Sequence, residues 1–164
     1  MIKLFKNKES QTRKLTKCAS IYISDKYKHI IINPNHENNA GIIYEQDKGD
    51  VSDFPIDTKV LGQMLIDNLN KYSIKDVNLR DHKRTDWPAF KQGKSKSVTT
   101  FEKEYIQIFV SSANDSNLIL TLSGSPFVSS ELTVNSTISF HSDQGEIGQR
   151  VLDIYQACLT GKLF

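Results

Sequence analysis

The side chains able to do chemistry in this sequence are scattered. His29, His36, His82 and His141, with Cys18 and Cys158, contain none of the close ligand pairs from which a metal site is built. Ser123-Gly124-Ser125 sets a hydroxyl beside a glycine, yet no Gly-x-Ser-x-Gly elbow surrounds it, and a turn between two strands accounts for it. Leu61-Gly62 and Ile147-Gly148 fall inside or at the start of helical patterns and form no phosphate-binding loop. Neither a catalytic residue nor a cofactor is expected, and binding ranks ahead of catalysis.

Two stretches have the chemistry of binding. Arg80, Lys83, Arg84, Lys91, Lys94 and Lys96 interleave with Trp87 and Phe90, the pattern with which single-strand binders grip phosphates and stack bases. Asp81, Asp86 and Glu102 interrupt it. The polar row Thr133, Asn135, Thr137, Ser139 and His141 alternates with Leu132, Val134, Ile138 and Phe140. Such a row is either the solvent face of an antiparallel sheet or a small-residue platform on which a partner strand can dock. An acidic stretch, Glu45, Asp47, Asp50, Asp53 and Asp57, is offset only by Lys48.

The elements that must position these residues follow from periodicity. Ala19 to Ser24, Lys28 to Asn33 and Gly41 to Glu45 read as strands, with Asn33, Pro34, Asn35, Asn38, Asn39 and Gly41 supplying the turn between the last two. The acidic stretch reads as a loop leading to Asp57, which caps a helix beginning at Thr58 whose stripe is Val60, Leu61, Met64, Leu65, Leu69 and Tyr72. Asp76 to Leu79 reads as a short strand, followed by a charged loop whose Trp87 plugs the core edge. Tyr105 to Ser112, Asn117 to Ser123 and Leu132 to His141 are strands, with Gly124 and Pro126 in the loop between the last two. A second helix starts near Ser142 or Asp143, carries Ile147, Val151, Ile154, Tyr155 and Cys158, and stops by Gly161. Leu61-Gly62-Gln63-Met64-Leu65-Ile66-Asp67 recurs as Ile147-Gly148-Gln149-Arg150-Val151-Leu152-Asp153, which reads either as a duplicated strands-then-helix unit or as chance likeness of two amphipathic helices over seven positions. The repeated glycine predicts close approach of each helix to the sheet.

The expected fold is therefore α+β: largely antiparallel sheets with two covering helices, in one domain spanning residues 1–164. The two cysteines are expected as free core thiols. The amino terminus has a positive start without an apolar run, and no segment is long enough to span a membrane, which places the protein in the cytoplasm. Net charge is +2, too small to name a partner, although residues 1–17 carry six Lys or Arg against one Glu.

Residues 1–6, the helix from Val60-Leu61-Gly62 to Tyr72, the segment from Arg84 to Trp87 followed by Lys96-Ser97 and Phe101, and the closing Ile147-Gly148 helix carry a resemblance. In that order, over nearly the whole chain, they resemble the CdiI-type immunity proteins of bacterial contact-dependent growth inhibition. The resemblance implies a cytoplasmic antitoxin that binds the C-terminal toxin domain of a cognate CdiA effector. Similar members are associated with nuclease toxins, including zinc-dependent DNases, and can neutralise them by accepting a toxin β-hairpin that extends their own sheet. Their fold is similar to that of the Whirly single-strand-binding proteins, which matches the strands-helix-strands-helix order. Fold likeness does not transfer DNA binding, so a single-stranded nucleic-acid-binding module stands as the alternative. The family supplies no catalytic motif.

Charge selects among inhibitory modes. An inhibitor that imitates DNA must be strongly acidic, and a chain at +2 is not. Strand addition draws affinity from main-chain hydrogen bonds and tolerates a nearly neutral surface. The expected contacts are Thr133, Asn135, Thr137 and Ser139 as the platform, with Asp47, Asp50 and Asp53 as a charged rim that meets basic toxin residues.

Overall fold

Alternating apolar side chains lay out the central sheet. In the computed structural model, which describes residues 17–47, 49–80, 82–112, 119–125 and 133–161, the strands are β1 (Cys18–Ser24), β2 (His29–Glu37), β3 (Ile43–Glu45), β4 (Asp50–Asp53), β5 (Ser73–Ile74), β6 (Ile106–Ser112), β7 (Ile119–Gly124) and β8 (Val134–Ser139). The basic opening of residues 1–16, together with Lys48, Asp81, Asn117, Leu118, Pro126 and Leu132, lies outside the described residues. The sheet runs β3-β2-β1-β6-β7-β8, with β4 and β5 also pairing with β2. Apart from the short parallel β2–β5 pair, the described ladders are antiparallel, so the α+β prediction holds.

One face of this sheet is closed by α1 (Thr58–Asn70) and α4 (Gln144–Thr160). Asp57 caps α1 by accepting from the amides of Lys59 at 2.9 Å and Val60 at 3.2 Å, and Asp143 caps α4 through Gly145 N at 2.8 Å. Leu61, Leu65 and Leu69 of α1, with Ile147, Val151, Ile154, Tyr155 and Cys158 of α4, bury against Ile21, Ile23, Ile30, Ile32, Ile108, Val110, Leu120 and Leu122. Val60 is half exposed, at 50%, because it lies on the solvent side of the predicted stripe.

The repeated glycines serve a different contact from the expected one. A Cβ on Gly62 would lie 1.8 Å from Gln144 O, and one on Gly148 would lie 1.9 Å from Thr58 O. The two similar segments thus bring helix against helix, each glycine admitting the backbone that starts the other helix. Gln63 Nε2 donates to Asp67 Oδ1 at 2.7 Å and Gln149 Nε2 to Asp153 Oδ1 at 2.9 Å, so the repeated Gln and Asp make the same pair on each helix.

Three further corrections concern the first sheet margin and the middle of the chain. β2 runs straight through Asn33, Pro34 and Asn35; Pro34 is the last partner of β1, at Ala19, and accepts Gln46 N with its carbonyl at 2.9 Å. A proline is tolerated where a ladder ends. The turn itself is Asn38–Ile42, in which Asn38 Oδ1 accepts from Ala40 N and Ile42 N and Gly41 adopts φ +79°. The acidic stretch is not all loop, since β4 pairs with the first half of β2 while β3 pairs with the second half. The predicted strand at Asp76 to Leu79 is absent; β5 forms earlier, where Ser73 and Ile74 meet His36 and Glu37.

Among the described residues the second sheet face is only partly covered. Short helices α2 (Pro88–Gln92) and α3 (Val98–Glu104), which follow the segment 80–88 read as a charged loop, form a small cluster in which Ala89, Phe101 and Tyr105 pack on Tyr22 and Ile31. Trp87 sits at its edge, 5.6 Å from the Tyr22 ring and 5.1 Å from Phe101, centroid to centroid.

Both cysteines are free and buried. Burial pushes the Cys18 thiol up to about 12, with the Glu37 charge adding to it. Because the thiolate is the reacting species, an aromatic disulfide reagent should label neither cysteine in the native protein faster than the chain unfolds. A fast absorbance burst without denaturant would contradict this packing.

Candidate functional site

The open part of the second face is a polar floor. Ladder register sets Asn33, Ser20, Phe109, Ser123 and Asn135 side by side across β2, β1, β6, β7 and β8. The next row is Cys18, Ser111, Thr121 and Thr137. Alternation makes this face mostly small and polar because most apolar side chains of these strands point toward α1 and α4.

A groove of about 1020 Å³ lies over one end of this floor, lined by Ile43 to Asp47, by Lys75, Val77 and Leu79, and by His82, Lys83, Arg84, Asp86, Trp87 and Pro88. A second hollow of about 530 Å³ continues toward β8 and reaches Ser123, Ser125 and Thr133, sharing Tyr22, Trp87, Gln107 and Phe109 with the first. Together they cross the uncovered face from the β3 margin to the β8 margin.

Glu45 organises the groove. Its carboxylate accepts from Asn33 Nδ2 at 2.9 Å, Trp87 Nε1 at 3.0 Å, the Ala89 backbone amide at 3.3 Å and the Tyr22 hydroxyl. Gln107 Nε2 in turn donates to the Tyr22 oxygen at 2.9 Å. Burial, then the Glu45 charge, raises the Tyr22 phenol well above its ordinary value, so it stays a donor. One carboxylate thereby ties β3, β1, β2 and the start of α2 into one wall.

The structure gathers part of the predicted contact set. Thr133, Asn135, Thr137 and Ser139 are all exposed on or just before β8. Asn135 Oδ1 accepts from Ser123 Oγ at 2.5 Å, and Ser139 Oγ accepts from His141 N at 3.1 Å. Thr133 lines the second hollow, and Asp47, exposed between β3 and β4, lines the groove. Asp50 instead turns toward α1, accepting from Asn68 Nδ2 at 2.7 Å and pairing with Lys71 Nζ at 3.1 Å. Asp53 is exposed opposite His29, at the other end of β4. The three acids therefore do not form one patch. Tyr22 and Gln107 escape the sequence reading, which puts Glu45 in the acidic stretch, Asn35 in a turn and Trp87 among the basic residues or at the core edge; the alternation of Ile31, Asn33 and Asn35 through Pro34 is the one signal that β2 continues.

The alternative surfaces are occupied from within. Arg84 is held by both oxygens of Glu102 at 2.6 and 2.5 Å, and Lys91 lies 3.8 Å from Asp86. Trp87 and Phe90 pack into the aromatic cluster and are not presented in a row for bases. Ser123 faces an amide, which cannot serve as its base, and a Cβ at Gly124 would meet Cys158 Sγ at 2.7 Å, so that glycine serves helix packing and not a turn. Among the described residues no group of His, Cys, Asp and Glu could hold a metal ion, and no helix is long and apolar enough to cross a membrane.

No family model and no curated protein matches the chain. Solved structures do. A protein of unknown function from Neisseria meningitidis shares the fold at a TM-score of 0.65 and 16% identity, over 91% of this chain and 96% of that one. A chain of the CdiA-CT/CdiI toxin and immunity complex from Yersinia pseudotuberculosis matches at a TM-score of 0.65 and 15% identity, over 87% of this chain and 97% of that one. At such identities the likeness is one of fold, and the chain has a fold found in a toxin–immunity complex.

Proposed function

We propose that the chain, residues 1–164 acting as one domain, is a cytoplasmic immunity protein. It binds and neutralises the C-terminal toxin domain of a cognate CdiA effector, a nuclease, without catalysis or a cofactor. The observation that carries this reading is an open polar sheet face, ending in an uncharged edge strand, on a fold shared with a chain of a toxin–immunity complex.

The two sheet margins favour strand addition at β8. Edges that must not pair are commonly blunted by charges and bulges. The β3–β4 margin has the charges: Asp47, Asp50 and Asp53 lie along it, and its pairing with β2 is split into two separate ladders. β8, Val-Asn-Ser-Thr-Ile-Ser, carries no charged residue, and among the described strands only β7 pairs with it. A toxin hairpin laid along β8 gains main-chain hydrogen bonds and sets alternate side chains over the hollow at Ser123 and Thr133.

Co-expression tests the reading. Cells producing the cognate CdiA toxin domain should survive when this chain is expressed, and the two proteins should coelute as a stoichiometric complex. Absence of both rescue and coelution would remove the immunity role.

A further inference from the structure

The short helices over the second face are tied to the sheet at both ends of α2. At its start, Glu45 accepts from Trp87 Nε1 and the Ala89 amide. Just past its end, the Lys94 amide donates to the Tyr105 hydroxyl at 3.2 Å, and that hydroxyl lies 3.0 Å from Nδ1 of His29, the first residue of β2. His29 is 4% exposed and meets the Tyr105 ring edge-on, 6.1 Å between centroids. The hydroxyl oxygen is occupied by Lys94 N–H, and its one proton meets His29 as its acceptor among the described residues. Nδ1 is therefore the bare nitrogen of a neutral ring, and this tie holds only while the ring stays neutral.

Protonation would turn Nδ1 into a donor facing a donor, and would put a charge where water is scarce. The groups around the ring do not compensate. Lys94, whose ammonium donates to Tyr27 O at 3.3 Å, opposes a second cation. Asp53, the β4 register partner, favours one but is itself exposed, and Ser24, the β1 partner, is uncharged. Burial first, then Lys94, thus outweighs Asp53 and holds His29 below its ordinary value. Glu104, beside Tyr105, is held at about 2 by its Lys26, Ser95 and Tyr27 donors, so it stays ionised throughout and adds no pH dependence near neutrality.

We propose that His29 is a pH-sensitive latch: neutral, it fastens the α2–α3 segment through Tyr105 to the start of β2, and protonated, it releases that segment from the sheet. A group held below its unfolded value stabilises fully above that value, about 6.5 for histidine, and its contribution is lost as pH falls through it toward the folded value. Acid therefore loosens the segment, and with it the part of the groove lined by Trp87 and Pro88.

Amide exchange of the full chain at about pH 7.5 and about pH 5.5, corrected for the intrinsic rate, tests the latch. The amides of Lys91, Gly93, Phe101 and Tyr105 close α2 and α3. Their opening equilibrium should rise severalfold at the lower pH, with a ceiling of ~10-fold for one proton taken up by an ordinary histidine. His29→Gln keeps an acceptor but cannot titrate, and it should remove the rise. Ring nitrogen chemical shifts of His29 should show the Nε2–H tautomer and a midpoint below about 6.5, and they decide if the variant fails to fold. An Nδ1–H tautomer, a higher midpoint, an equal rise in His29→Gln, or a rise confined to the amides of β1 and β6 overturns the latch. No partner enters these measurements, so their outcome is independent of the rescue experiment.

Discussion

Gly148→Ala is expected to destabilise the protein by about 2 kcal/mol or more, although alanine is the better helix former. In an open helix the exchange would gain about 1 kcal/mol. Here the added methyl would lie 1.9 Å from the Thr58 carbonyl oxygen and 3.0 Å from Gly62 N, both backbone atoms that no rotamer change can move aside. The helices must part, and overpacking of this kind typically costs 1–3 kcal/mol, about, before any loss of contacts between Leu61, Ile147 and Val151. Gly62→Ala should behave alike, its methyl meeting Gln144 O at 1.8 Å. The double variant should cost less than the sum, because both substitutions are relieved by one separation of the same pair of helices. Urea unfolding would read this as a lowered midpoint at unchanged slope. A raised midpoint for Gly148→Ala would show that the helices do not meet there.

Asn135→Lys with Thr137→Lys should weaken toxin binding by ~100-fold or more, about 3 kcal/mol, while leaving thermal stability within the usual narrow range of surface changes. Both side chains are exposed on the edge strand, so little is lost from the fold. Two lysines there supply the protection this margin lacks and oppose an incoming strand. Calorimetric titration with the toxin domain, paired with survival of toxin-producing cells, would measure it. Unchanged affinity would place the contact elsewhere. Alanine at Thr133, Asn135, Thr137, Ser139, Asp47, Asp50 and Asp53 refines the map, since only a few of these should exceed about 1 kcal/mol. Asp50→Ala must be corrected for stability, because Asp50 holds Asn68 of α1 and Lys71, the residue that caps it. If all seven leave affinity unchanged, the chosen surface is wrong.

Local patterns made much of this protein readable in one dimension. The stripes Leu61-Leu65-Leu69 and Ile147-Val151-Ile154-Cys158 and the caps at Asp57 and Asp143 define both long helices, because helix period and capping need only neighbours in the chain. Ile106-Ile108-Val110 and the polar row ending at Ser139 likewise reveal strand faces. Asn33-Pro34-Asn35 reads as a turn for the same reason: its composition favours one locally, and only pairing with β1 and β3 makes it strand.

Periodicity and composition along the chain dictate the α+β class, the two long helices, the buried free thiols and the exposed row on the last strand. Tertiary structure alone decided that the repeated glycines face each other across two helices. It also decided that Asp47, Asp50 and Asp53 diverge, and that Glu45 gathers Tyr22, Asn33 and Trp87 into a groove wall. The physical reason is that a strand's face is set by its own alternation. Which residues from distant strands share that face depends on ladder register, and register is fixed only when the sheet assembles.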